Sequence, residues 1–133
     1  MNHSLLPLSE SQQRQSLLTL NRETSRHGLT LSPSDAAQLV VFHAQTLRDT
    51  GRVVFEGGCI ERLILAFCDS PYIQQTDYRE TLCELIELFY HLKNQTLDRF
   101  SDEDILMRMR KCFDDSCQGS IERLTDLLWG GLS

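Results

Sequence analysis

Two constellations in this chain of 133 residues are of types that do chemistry. The first is Cys117, in the polar stretch Asp114-Asp115-Ser116-Cys117-Gln118-Gly119-Ser120 that runs into a helix start. Backbone N–H groups at a helix start favour the thiolate, which is the nucleophilic form of cysteine. That placement makes Cys117 the candidate catalytic or redox thiol. A thiol enzyme also needs a base, and His27, His43 and His91 hold no spacing to Cys117 that marks a dyad. Asp114 and Asp115 would oppose loss of the proton.

The second constellation is Glu80, Glu84, Glu87 and His91, at steps of four, three and four. At 100° per residue they share about 60° of one helix face. Carboxylates beside an imidazole are metal donors, so Glu84, Glu87 and His91 are the candidate metal ligands. Helical di-metal bundles, however, use Glu-x-x-His pairs and further carboxylates from facing helices, and here Glu87 and His91 are four apart. The strip lies opposite the leucines of its own helix, which makes it a solvated or partner-docking face. No Cys-x-x-Cys supports zinc; the nearest thiols, Cys112 and Cys117, have four residues between them. Cys59, Cys68 and Cys112 occupy positions suited to small hydrophobes. His43 sits alone on an apolar stripe and reads as a core histidine bonded to backbone. Gly57-Gly58 lacks a phosphate-loop pattern and reads as a turn.

These residues need helices to position them. Apolar spacing and capping residues predict an all-α compact bundle of five or six helices in a single domain. The first helix is expected over 10–27, stopping at Gly28, after a flexible N-terminal segment at 1–8. The second opens with Ser32-Pro33-Ser34-Asp35 and buries Ala36, Leu39, Val40, His43, Ala44 and Leu47, with Phe42 nearly opposite and in want of a second contact. A third, short and central, covers 59–68. The fourth runs 77–94, with Asp77 and Glu80 as a capping box and Leu82, Leu85, Ile86, Phe89 and Leu92 inward. The fifth opens at Ser101-Asp102-Glu103-Asp104, and the sixth spans 120–129 before Gly130-Gly131. Residues 29–31 and 53–55, both β-prone and bounded by glycine, add the option of a two-stranded ribbon.

Composition narrows the partners. Thirteen Lys and Arg against nineteen Asp and Glu give a net charge of −6, which disfavours nucleic acid or an anionic membrane. The longest apolar stretch, 59–68, is interrupted by Glu61 and Arg62 and falls short of a membrane span. Five cysteines and the absence of a secretory pattern at the start predict a cytoplasmic protein with reduced thiols.

Several segments together carry a resemblance: 27–32 (HGLTLS), 51–55 (GRVVF), 67–72 (FCDSPY), 80–90 (ETLCELIELFY) with Lys93-Asn94, the acids of 101–103, and 117–120 (CQGS). Over nearly the whole chain it resembles a family of small bacterial cytoplasmic domains of unknown function. The resemblance implies one bacterial cytoplasmic domain and brings no activity, cofactor or active site with it. The leading expectation is therefore a non-enzymatic interaction or regulatory module without cofactor. It would present Phe42, Glu80, Glu84, Glu87 and His91 to a protein partner or to its own copy. The alternatives are a thiol enzyme or sensor at Cys117 and a metal-binding bundle.

Overall fold

The computed structural model describes residues 9–52 and 59–128, and over these the chain is all-α. The expectations for residues 1–8, 53–55, 57–58 and 129–131 lie outside the described residues. Six helices of eight residues or more are described: α1 (Glu10–Thr19), α3 (Pro33–Asp49), α4 (Ile60–Phe67), α5 (Tyr78–Gln95), α6 (Asp102–Asp114) and α7 (Ile121–Leu128), with a single-turn α2 (Asn21–Thr24) between the first two.

Local chemistry sets the starts of these helices. Ser9 and Ser32 close capping boxes with Gln12 and Asp35, Pro33 occupies the first turn of α3, and Ser101 Oγ accepts from the Asp104 N–H. Each such cap stabilises a helix by about 1 kcal/mol. The capping box expected at Asp77 does not form. A 3₁₀ turn at Gln75–Asp77 leads directly into α5, the Asp77 side chain makes no cap bond, and Glu80 turns to Arg79 instead.

α5 is the central element, in contact with α3, α4, α6 and α7. Leu82, Leu85, Ile86, Phe89 and Leu92 are buried as their spacing requires, and Tyr78, Leu88 and Tyr90 join them because neighbours cover both flanks of the stripe. Phe67 meets Phe113 edge-on, tying α4 to α6. Arg110 reinforces that joint: its guanidinium donates to Asp114 at 2.6 Å, to Asp69 at 2.5 Å and to the Ala66 carbonyl at 2.7 Å. Lys93 joins α5 to α6 by donating to Asp102 at 2.9 Å and to the Phe100 carbonyl.

Two further expectations are corrected. The helix expected over 10–27 breaks after Thr19 and is resumed by α2 and a 3₁₀ turn, Ser25–His27, that ends at Gly28 with φ +78°. The ribbon is not supported either. Thr30 is bonded on both sides by the Gln75 side-chain amide, which accepts from its N–H at 2.8 Å and donates to its carbonyl at 3.0 Å. Leu31 is held in the same way by Asn21, with both bonds at 2.9 Å. The backbone groups a partner strand would have used are engaged by side chains. Among the described residues, no helix is long and apolar enough to cross a membrane.

Candidate functional site

Of the residues singled out as an interaction face, Phe42, Glu84 and Glu87 meet where α3 lies on α5. Phe42 is not fully outward as expected: it is half-buried and packs on the core, because α5 and α7 come up beside it. It lines a cleft of about 220 Å³ with Cys83, Glu84, Glu87 and Leu88 of α5 and Thr125 of α7. On its other side Phe42 borders a shallow apolar groove of about 530 Å³ formed by Ser34, Ala37, Gln38, Val41 and Gln45 of α3. Val41 is the exposed apolar residue there, at 56%.

The electrostatics of this face are one-sided. Glu84 and Glu87 are exposed, and neither has an ion-pair partner among the described residues. Partial loss of hydration, then the negative charges of Asp77 and Glu87, raise the Glu84 carboxyl above its ordinary range. Burial pushes the neighbouring Cys83 thiol up to about 11. Glu80 belongs elsewhere: it pairs with Arg79, whose guanidinium also donates to Gln38 and lies 4.0 Å from Asp35, joining α5 to α3. His91 continues the line of acids but is half-buried. Among the described residues, no group of three or more His, Cys, Asp or Glu is arranged to hold a metal ion, Glu84, Glu87 and His91 included.

A second polar arrangement lies inside the bundle. His43 Nε2 and the Tyr90 hydroxyl share a hydrogen bond of 2.8 Å, so this core histidine is bonded to a side chain rather than to backbone. The Tyr90 hydroxyl and the Cys59 thiol also bear on each other's ionisation, so imidazole, phenol and thiol gather between α3, α5 and the start of α4. Burial holds His43 neutral, lowering its pKa to about 4, and pushes the Cys59 thiol up to about 12. In these protonation states the cluster is uncharged, with neither a thiolate nor an imidazolium at neutral pH.

Cys117 lies in the turn from α6 to α7 and is 2% exposed. Burial first and the adjacent Cys112 second raise its thiol above the ordinary value, against a smaller opposing effect of Arg123. The helix start does not produce the lowered thiol pKa that a lone nucleophile needs.

Sequence spacing missed the apolar line of α3. Ala37 and Val41 recur at a step of four, and Ser34, Gln38 and Gln45 beside them bring no charge. An uncharged line on the outward side of an amphipathic helix was the legible signal. A groove of about 650 Å³ between α4 and α6 was missed as well; Leu65 at 47% and Met107 at 63% exposure lie in it, beside Arg62, Glu103, Arg110 and Lys111. A family model described as a family of unknown function, DUF6323, matches residues 16–129. No curated protein and no solved structure matches the chain.

Proposed function

The chain belongs to the DUF6323 family of unknown function, and from that premise we propose a non-enzymatic interaction module whose α3–α5 face docks a cationic amphipathic helix of another protein. The observation that carries this reading is the position of Phe42, between an uncharged apolar groove and two carboxylates with no cation beside them among the described residues. An amphipathic helix laid along α3 would place apolar anchors against Ala37, Val41 and Phe42. Lysines or arginines on its flank would reach Glu84 and Glu87 and relieve their mutual repulsion. In the α4–α6 groove most charges are paired within the chain, Arg62 with Asp102 and Glu103 and Arg110 with Asp69 and Asp114, and the one left without an ion pair among the described residues is the cation Lys111, so it does not call for a cationic partner.

Charge at a rim mainly sets association rate and salt dependence, while apolar anchors slow dissociation. The two contributions separate in one calorimetric series on the full chain, with a helical Leu/Lys peptide as probe and a Leu/Glu peptide of the same pattern as control. The Leu/Lys peptide should bind, and the double change Glu84→Gln with Glu87→Gln should weaken it at least about tenfold, or about 1.4 kcal/mol. Val41→Asp should also weaken binding although it adds negative charge. Equal or tighter binding by Val41→Asp would reduce the effect to general charge attraction and overturn the reading.

A reducing compartment such as the cytoplasm suits the five cysteines, all of which are free thiols. A lone Cys117 nucleophile has less support because that thiol is buried and its pKa is raised.

A further inference from the structure

We propose that Cys112 and Cys117 are a dithiol pair that closes reversibly to a disulfide across the turn from α6 to α7. The backbone brings them together: the Cys117 N–H donates to the Cys112 carbonyl at 3.0 Å. The bent carbonyl puts the Cys112 oxygen about 2.4 Å from its Cα, and with the N–Cα bond on the other side this caps the Cα–Cα separation at about 6.9 Å, so any bend at the hydrogen bond brings it inside the roughly 4.4–6.8 Å a disulfide spans. No other backbone hydrogen bond among those described outside the helices joins two cysteines. The Cys112 thiol is also the second cause, after burial, of the raised pKa of Cys117.

Exposure sets the order of events. Cys112 is half-buried on α6, whereas Cys117 is closed off at 2%. A low-molecular-weight disulfide, R–S–S–R, meets Cys112 first. The Cys112 thiolate attacks one sulfur, forms a mixed disulfide and releases R–S⁻. Cys117 then gives up its proton to the released thiolate and attacks the Cys112 sulfur, displacing the second R–S⁻, which takes up the Cys112 proton from solvent. The balance is two cysteine thiols and R–S–S–R going to one protein disulfide and two R–SH. Burial of the resolving thiol protects it from outside reagents until its partner carries the leaving group. Neither step needs a metal, a histidine or a lowered thiol pKa.

Tryptic cleavage after Lys111 and Arg123 yields one peptide that holds Cys112 and Cys117 and none of the other three cysteines. The folded full chain is equilibrated in glutathione buffers from fully reduced to fully oxidised, alkylated with iodoacetamide and digested. The expected result is a peptide that loses both alkyl groups together as the buffer becomes oxidising, leaving a mass two hydrogens below the free dithiol peptide, and regains them when reductant is added before alkylation. Finding both cysteines alkylated at every ratio, or stopping as glutathione adducts, would overturn the proposal. The wild-type map decides it without any variant. Cys112→Ser should additionally leave Cys117 free of glutathione; a Cys117 adduct forming at the rate of the Cys112 adduct in wild type would overturn the stated order of attack.

Discussion

His43 and Tyr90 lie 47 positions apart in sequence, yet Nε2 and the phenol oxygen are 2.8 Å apart with both side chains at 2% exposure. A buried polar group costs far more when its partner is removed than the pair contributes when intact. Tyr90→Phe should therefore destabilise the fold by about 1–3 kcal/mol by leaving the imidazole nitrogen unpaired. His43→Leu combined with Tyr90→Phe should cost less than the sum of the single changes. Urea denaturation of the three variants checks this, and strict additivity would count against a coupled pair.

The same histidine sets an acid limit. Its pKa falls from 6.5 to about 4 on folding, so between those values the unfolded chain binds more protons than the folded one. Stability from this group is present above about pH 6.5 and is lost as the pH falls to about 4. The full difference is on the order of 3 kcal/mol. Denaturation midpoints recorded from pH 7 to pH 4 should fall, and His43→Leu should flatten that slope while other groups keep theirs.

Gly119 sits at φ +83° in the turn before α7, and a Cβ there would lie 2.3 Å from Tyr72 Cβ. Gly119→Ala combines a disfavoured backbone with a collision at the Tyr72 stem, and should cost roughly 2–4 kcal/mol. Gly51→Ala, at φ +69° with nothing within 4 Å of the added carbon, should cost only about 1 kcal/mol. Thermal unfolding of the two variants distinguishes them, and equal losses would show that the Tyr72 contact yields without cost.

Asn21 and Gln75 each bind both backbone groups of one residue in the segment after Gly28. Asn21→Ala, at the more buried of the two, should cost about 1–3 kcal/mol, and Gln75→Ala about 1 kcal/mol. Hydrogen exchange at the Leu31 and Thr30 amides should accelerate in the corresponding variant. Unchanged exchange would mean that something other than these side chains protects them.

Most helix starts were legible from local chemistry, though the Asp77–Glu80 box and the unbroken first helix were not borne out. Ser32-Pro33 and Ser101 announced α3 and α6, and the leucines of α5 fell on the expected side. What escaped depends on residues distant in sequence. Spacing showed that His43 is inward but not that a tyrosine 47 positions away receives it. The ribbon was an option because 29–31 has the right residue types; the amides that take its place come from Asn21 and Gln75, 10 and 45 positions from the residues they brace, a pairing that periodicity does not show. Of the proposed face, Glu84 and Glu87 were legible as outward acids. The half-buried state of Phe42 was not, because it depends on where α5 and α7 lie.

The bracing of Thr30 and Leu31 has a consequence for how the molecule behaves in a crowd. An extended segment with free amides and carbonyls is a template on which a stranger's strand can grow, and aggregation starts at such borders. Two carboxamides already sit in the places such a visitor would take, so removing Asn21 and Gln75 together should turn a quiet border of the molecule into a sticky one.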